Sequence, residues 1–214
     1  MPPTASLSRA DAGARADGLV LMLHGGSTTG FTPVDDRSLS WRRSRWMMRQ
    51  VASRLNRGGA SVWLLRHGVR GWNAGSGAEP SPVPEARWAL HQVRRELGDR
   101  PVVLLGHSMG ARTAVAVADH PNVVGVVALA PWLPSDEPTG TLAGRALAAA
   151  HGRSDPITSY RQTAAFCRRA EGVATSVELR DMGRVGHYLL RRIPVWNDFA
   201  VIHSLDQLGV ARTR

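Results

Sequence analysis

The stretch that most constrains the fold is residues 101–111, PVVLLGHSMGA. Residues 102–105 form a short apolar run, which is typical of a buried strand. The pentapeptide GHSMG follows at once, and small residues then continue as in a closely packed helix. A G-x-S-x-G turn between a strand and a helix raises its serine above the sheet, because glycines on both sides let the two elements approach closely. This context predicts that Ser108 is a nucleophile rather than an incidental loop serine.

The composition excludes several kinds of site. All 27 basic residues are arginines, so a lysine Schiff base and a Walker-type phosphate loop are excluded. The single cysteine, Cys167, allows neither an internal disulfide nor a multi-cysteine metal site, and we expect no metal and no cofactor. The formal net charge is +10, but the arginines are scattered along the sequence. Scattered charge favours a solvated face, so no nucleic-acid partner is expected.

The length of 214 residues suits one domain with a full core. Residues 1–17 are rich in alanine, serine, proline, arginine and aspartate and predict a flexible lead-in, with a single domain over residues 18–214. No run approaches the roughly 18 apolar residues of a membrane span. The lead-in also lacks the apolar stretch of a secretory signal, so we expect a cytoplasmic protein. The sequence does not indicate an oligomeric state.

Apolar runs alternate with helical patterns along the chain. The predicted strands are 18–23, 61–65, 102–105, 123–129, 145–150 and 175–180, and the predicted helices include 38–55, 84–97, 159–170 and 191–208. This alternation predicts the α/β class, with a three-layer αβα sandwich and a mostly parallel sheet of about six strands. Each glycine-rich or polar loop begins where a strand stops. Parallel sheets place their sites beyond the carboxyl ends of the strands, so these loops predict one composite site.

Four motifs, in this order, resemble those of the alpha/beta hydrolase family. They are His24-Gly25-Gly26, Gly106-His107-Ser108-Met109-Gly110, His151-Gly152-Arg153-Ser154-Asp155 and Gly186-His187. The resemblance spans nearly the whole chain from Gly18 on, with two departures. The family usually has two strands before the one at 18–23, and we expect both to be missing here. The segment 133–144 is too short for a helical cap, so the resemblance implies a capless or minimal-cap member with an open site.

The resemblance implies a catalytic role for each motif. The family order of nucleophile, acid and base falls on Ser108, Asp155 and His187. A serine hydroxyl needs a base to remove its proton, histidine does this near neutral pH, and a carboxylate orients the imidazole. The family's oxyanion hole falls on the backbone N–H groups of Gly26 and Met109.

Alternatives for the acid and the base stay open at this point. Asp136 follows the strand at 123–129, where some family members carry their acid, and Asp181 is close to His187 along the chain. Among the eight histidines, His187 follows the last strand in a glycine-flanked loop. The other positions suggest structural hydrogen bonding for His24, His107 and His151, a place in the cleft for His67, and helical positions for His91, His120 and His203.

The loop after the second predicted strand offers candidate substrate contacts. Possible contacts to a substrate carboxylate or a phosphorylated carrier are Arg70, Trp72 and Asn73, because the planar guanidinium of an arginine binds such groups. The simpler roles are packing for Trp72 and solvation for Arg70. The expected function is a serine hydrolase that cleaves a small-molecule carboxylic ester or thioester through an acyl-enzyme. Peptide cleavage or acyl transfer on the same triad, and a non-catalytic alpha/beta hydrolase-fold binding protein, are the alternatives.

Overall fold

The computed structural model describes residues 4–13, 16–75 and 77–209. Its strands are β1 (Ser6–Ala10), β2 (Gly18–Leu23), β3 (Ala60–Arg66), β4 (Val102–His107), β5 (Val123–Leu129), β6 (Ala146–His151) and β7 (Ser176–Asp181). Its helices are α1 (Leu39–Arg57), α2 (Pro82–Leu97), α3 (Met109–Ala116), α4 (Tyr160–Ala170) and α5 (Ile193–Gln207), with a short 3-10 turn at Gly140–Leu142.

The strands form one seven-stranded sheet in the order β1-β3-β2-β4-β5-β6-β7. Strands β2 to β7 run parallel to their neighbours, and only β1 is antiparallel. Every residue of β2 and β4 is buried, as expected for central strands that are covered on both faces. Helices α1 and α5 cover one face, and α2, α3 and α4 cover the other. The predicted α/β class and three-layer sandwich are confirmed.

The sheet has one strand more than the sequence analysis predicts. β1 lies within the expected lead-in and pairs with β3, with Ser6 opposite Arg66 and Ala10 opposite Val62. One of the two family strands expected to be missing is therefore present in antiparallel form. Its sequence, SLSRA, carries little apolar signal because an edge strand is held by backbone pairing more than by burial.

Side-chain contacts of Arg9 add to the backbone pairing of this edge strand. Arg9 donates two hydrogen bonds to Glu96, at 2.6 and 2.8 Å, and its guanidinium lies 4.2 Å from the ring centroid of Trp63.

Residues 1–3 and 14–15 of the expected lead-in, and residues 210–214 of the expected domain, lie outside the described residues.

The connection from β5 to β6 leaves the carboxyl edge of the sheet uncovered. The three-residue turn Gly140–Leu142 is the only helical element in this connection, all of which is described. The expectation that a helical cap is missing is therefore confirmed. Other loops still surround this edge, because Ser108 and His187 are only 6% and 5% exposed.

Two histidines lie buried at this edge and stay neutral. Burial, followed by the charge of His67, lowers the pKa of His24 well below its usual value. Burial, followed by the charge of His187, lowers the pKa of His107 to about 3. Because a desolvated imidazolium is costly, the fold stabilises the uncharged form of both rings.

We predict that acid destabilises the protein through these rings. The unfolded chain protonates them below about pH 6.5 while the folded rings stay neutral, so stability is fully present above about pH 6.5 and is lost as the pH falls towards 3. For His107 alone, the free energy of unfolding should fall by about 3 kcal/mol between roughly pH 7 and pH 4.5. Urea unfolding at both pH values measures this change in the free energy of unfolding. The His107→Gln variant should lose the part of the pH dependence that comes from His107. A free energy of unfolding that stays constant over this range would contradict the prediction.

Candidate active site

Ser108 occupies a sharp turn between β4 and α3. Its backbone has φ 56° and ψ −118°, a left-handed conformation that is strained for a side chain larger than glycine. Four backbone hydrogen bonds hold this conformation. The Ser108 N–H donates to the Leu129 carbonyl at 3.1 Å, and the Ser108 carbonyl accepts the N–H groups of Ala111 at 3.1 Å, Arg112 at 3.3 Å and Trp132 at 3.2 Å. The strand, turn and helix that the G-x-S-x-G motif requires are all present.

The glycines of the turn are there because the backbone is crowded. A Cβ atom at Gly106 would collide with the backbone of Ala111, and one at Gly110 would collide with the Leu23 carbonyl. Helix α3 can therefore approach β2 and β4 only with glycine at both positions. This approach fixes where the Ser108 hydroxyl lies.

The structure brings together the three side chains that the sequence analysis selects. Ser108 Oγ lies 2.9 Å from His187 Nε2, and His187 Nδ1 lies 2.8 Å from Asp155 Oδ2. The residues follow the carboxyl ends of β4, β6 and β7, so three parallel strands of one sheet position all three. Since Asp155 only accepts hydrogen bonds when ionised, His187 Nδ1–H donates to it and Nε2 is left to accept the Ser108 proton.

Asp155 is held by donors on both of its oxygens. Oδ1 accepts the N–H groups of Ile157 at 2.8 Å and Thr158 at 2.9 Å, and Oδ2 accepts the Thr158 hydroxyl at 2.9 Å. Burial by itself would raise the pKa of Asp155. Hydrogen bonds from His151, from His187 and from the two backbone N–H groups outweigh burial and hold the pKa far below its usual range. The carboxylate is therefore ionised near neutral pH.

A second histidine also contacts this carboxylate. His151 Nε2 lies 3.2 Å from Asp155 Oδ2, and its Nδ1 lies 2.7 Å from the Thr163 hydroxyl. Because the carboxylate is an acceptor, Nε2 carries the proton and Nδ1 accepts from Thr163. The sequence analysis assigns His151 a structural role, and the spacing of four residues from Asp155 is the signal that could have linked the two side chains.

The His24-Gly25-Gly26 loop lies against the serine turn. A Cβ at Gly25 would lie 3.3 Å from the Ser108 Cβ, and one at Gly26 would lie 2.5 Å from the Met109 sulfur. His24 holds this loop, since its Nδ1 donates to the Gly25 carbonyl at 2.7 Å while its Nε2 accepts the His67 N–H at 3.1 Å. The peptide between Gly25 and Gly26 is planar and trans, so the Gly26 N–H points away from that carbonyl.

The three candidate substrate contacts take different positions. Asn73 bridges two loops, because its Oδ1 accepts the Gly30 N–H at 2.8 Å and its Nδ2 donates to the Gly30 carbonyl at 3.1 Å. Trp72 is only 5% exposed, whereas the Arg70 side chain is 45% exposed and lies 3.8 Å from Asp35. These positions favour packing for Trp72 and solvation for Arg70, and a substrate contact stays a prediction.

The sequence analysis missed a charged cluster one helical turn beyond Ser108. The Arg112 guanidinium lies 4.3 Å from the ring centroid of Trp72 and 4.5 Å from that of Trp132. It also donates to the Glu137 carboxylate at 2.6 Å. Burial raises the pKa of Glu137, although Arg112 opposes that rise. The cluster joins the loops after β3 and β5 to the helix that carries the serine.

The alternative candidates lie elsewhere. Asp136 is exposed, and Asp181 pairs with Arg153 at 2.6 Å and accepts the Gly183 N–H at 2.8 Å. His67, considered for the cleft, is buried and bound to Glu85 at 2.8 Å. Its place at a strand end could not reveal this, because the partner carboxylate comes from α2.

The described residues offer neither a metal site, nor a reactive thiol, nor a membrane-spanning helix. Within residues 4–13, 16–75 and 77–209, no group of three or more metal-ligating side chains could hold an ion. Burial raises the pKa of Cys167 to about 11, so its thiol stays protonated and unreactive near neutral pH. In the same part of the chain, no helix has both the length and the apolar character that a membrane crossing needs.

Comparison with known structures shows related folds over nearly the whole chain. A serine hydrolase of the alpha/beta class without a lid, from Xanthomonas campestris, has a TM-score of 0.67 at 17% identity, covering 98% of this chain and 90% of that one. An acetyl ester-xyloside bifunctional hydrolase from Caldicellulosiruptor lactoaceticus has a TM-score of 0.71 at 16% identity, covering 99% and 91%. A thermophilic esterase from Thermogutta terrifontis has a TM-score of 0.70 at 14% identity, covering 98% and 92%.

Comparison of the sequence with family models and curated proteins completes the assignment. No curated protein matches the chain. The model of the alpha/beta hydrolase family matches residues 20–208, a span that contains all four motifs and strands β3 to β7. The chain therefore belongs to the alpha/beta hydrolase family.

Proposed function

We propose that the protein is a serine hydrolase that cleaves a carboxylic ester or thioester through an acyl-enzyme. The observation that carries this proposal is the continuous chain of hydrogen bonds from Ser108 to His187 at 2.9 Å and from His187 to Asp155 at 2.8 Å. A serine in a strained turn, an imidazole within hydrogen-bond distance of its hydroxyl and a carboxylate that orients the imidazole are the groups that acyl transfer to serine requires.

In the first step, Ser108 Oγ attacks the carbonyl carbon of the substrate while His187 Nε2 takes the hydroxyl proton. The carbonyl oxygen becomes an oxyanion, which accepts hydrogen bonds from the backbone N–H groups of Gly26 and Met109. Collapse of the tetrahedral intermediate breaks the bond to the leaving alcohol or thiol, and His187 returns the proton to that group. Water then attacks the carbonyl carbon of the acyl-enzyme, with His187 again as the base, and the carboxylic acid is released from Ser108.

Asp155 orients the base and stabilises its charge. With five donors within 3.2 Å, its carboxylate is a poor proton acceptor, so the proton taken from Ser108 remains on His187. The resulting imidazolium faces a fixed anion, which lowers the energy of the transition state. Asp155 thus contributes orientation and charge, and it does not relay protons.

The open edge suits a small-molecule ester with varied groups on either side of the carbonyl. No helical element longer than the Gly140–Leu142 turn lies between β5 and β6, so nothing in that connection closes over Ser108. The structural relatives include an esterase and a hydrolase named for an acetyl ester, which supports the same substrate class for this chain. Ester hydrolysis and peptide cleavage both use water as the acyl acceptor and differ in the bond that is broken, whereas acyl transfer needs a second substrate as the acceptor.

We predict that a fluorophosphonate probe labels Ser108. Ser108→Ala should abolish labelling and hydrolysis of p-nitrophenyl esters while leaving the thermal unfolding midpoint nearly unchanged, because the substitution removes only the nucleophilic oxygen. Mass spectrometry of the labelled peptide identifies the modified residue. Labelling of the Ser108→Ala protein at the wild-type rate would refute the assignment. Rates measured on a series of p-nitrophenyl esters and thioesters then show which acyl groups and which leaving groups the enzyme prefers.

The acid is tested by two matched aspartate substitutions. Asp155→Asn should lower kcat by about 10⁴-fold, because the amide of asparagine donates to Nδ1 and holds His187 in the wrong tautomer. Asp136→Asn changes an exposed loop and should leave kcat within about twofold of the wild type. KM should change little in either variant, because the acid acts in the transition state. The reverse order of losses would move the acid to the loop after β5.

His151 is expected to support Asp155 through its single donated hydrogen bond. His151→Leu removes that donor and should lower kcat by about tenfold with KM nearly unchanged, in line with the loss of one hydrogen bond to a charged group. His151→Gln keeps an N–H at a similar position and should recover most of the activity. Equal losses in both variants would show that His151 acts only by filling space.

A further inference from the structure

Exposed apolar side chains gather around the edge that carries Ser108. Phe31, Ile157 and Leu190 follow β2, β6 and β7 and are 76%, 58% and 64% exposed. Leu39, at the start of α1, is 77% exposed. In parallel βα units the first turn of the helix lies on the same edge as the carboxyl ends of the strands. Apolar exposure collected at one edge is typical of a surface that contacts something other than water.

The outer face of α1 combines these apolar side chains with arginine. Leu39, Arg42, Trp46 and Arg49 recur at spacings of three and four residues, and all four are exposed. This spacing places them in one stripe along the helix, opposite the buried face. Every charged residue of α1 is an arginine, so no carboxylate of the helix offsets the positive charge of the stripe.

The stripe is continuous with the loop that carries His187. Arg43 of α1 donates to the Tyr188 carbonyl at 2.9 Å and to the Leu189 carbonyl at 3.2 Å, and its guanidinium lies 5.0 Å from the ring centroid of Trp46. The Tyr188 ring stands edge-on to the His187 ring, with 5.6 Å between centroids. The helix and the loop therefore form one surface that reaches the catalytic histidine.

The loop after β7 combines exposed apolar and basic side chains, as the stripe on α1 does. Tyr188 and Leu190 are 58% and 64% exposed, and Arg191 beside them is exposed too. Residues 182–197 contain three arginines and no aspartate or glutamate. Arginines of α1 and of this loop, far apart in sequence, thus lie on one surface. The apolar–basic patch is defined here as Leu39, Arg42, Trp46, Arg49, Tyr188, Leu190 and Arg191.

We propose that the apolar–basic patch docks the protein on an anionic lipid surface, so that an acyl ester held in that surface meets Ser108. The identity of the substrate rests on the proposed function, whereas docking does not. Arginine is attracted to anionic headgroups, and tryptophan and tyrosine rings favour the boundary between headgroups and acyl chains. Exposed leucine side chains are buried at this boundary, which makes binding more favourable. A nucleic acid would pair with the arginines but leave Leu39 and Leu190 in water.

Vesicle co-sedimentation tests the docking. Wild type should bind phosphatidylglycerol vesicles at low ionic strength, bind phosphatidylcholine vesicles weakly, and be released by salt. Each arginine near such a surface is worth about a fivefold change in partitioning, so the triple variant Arg42→Gln/Arg49→Gln/Arg191→Gln should bind roughly 100-fold more weakly. The matched control, Arg94→Gln/Arg95→Gln/Arg168→Gln, has the same net charge on helices of the opposite sheet face and should bind like the wild type.

Two further variants separate the contributions. Leu39→Ser/Leu190→Ser keeps the charge, and its binding should fall most at high salt, where the apolar contacts dominate. Ser108→Ala should bind vesicles like the wild type, which separates docking from catalysis. Both arginine variants and the leucine variant should hydrolyse a soluble p-nitrophenyl ester at the wild-type rate, since the patch lies outside the reacting groups.

Three results would overturn the proposal. The first is equal binding to the two kinds of vesicle, and the second is equal loss in the patch variant and its matched control. The third is patch-dependent binding to a duplex oligonucleotide or to an acidic protein without binding to vesicles. If vesicle binding follows the prediction but Ser108 is not labelled by a fluorophosphonate, docking stands and the proposed hydrolase activity fails.

Discussion

The close approach of α3 to β2 and β4 is the constraint on which the rest of the site depends. Gly106 and Gly110 permit it, because a Cβ at either position would meet backbone atoms. The approach forces Ser108 into a left-handed conformation, which the Leu129 and Ala111 hydrogen bonds hold in place. The strain is stabilised by the surrounding sheet and fixes the hydroxyl before any substrate arrives.

Charge in the site is controlled by burial and by hydrogen-bond donors together. Burial alone would raise the pKa of Asp155, yet donors on both oxygens hold that pKa far below its usual range. The same burial keeps His24 and His107 uncharged, because their partners are backbone groups and not carboxylates. One low-dielectric edge therefore holds a fixed anion next to neutral imidazoles. That contrast leaves His187 as the ring placed between the anion and the Ser108 hydroxyl.

Sequence patterns predicted the central part of the fold well. The strand 123–129 and the short alanine-rich strand near residue 146 both appear, because parallel central strands are continuous apolar runs. Strand β1 was missed, since a five-residue edge strand with polar side chains has no such signal. The contact of His151 with Asp155 was also missed, although the two residues are only four apart in sequence. The cluster around Arg112 was missed because its partners come from other segments.

By itself, the sequence determined the α/β class, the nucleophile turn and the order of the candidate catalytic residues, because glycine spacing and apolar runs are local properties. Only the tertiary structure decided which of Asp136, Asp155 and Asp181 lies beside His187, since the distance from a carboxylate to an imidazole depends on how neighbouring strands are paired. The same holds for charge. Arginines that look scattered along the chain form one surface once α1 packs beside the loop after β7, because proximity across a fold is set by packing and not by sequence position.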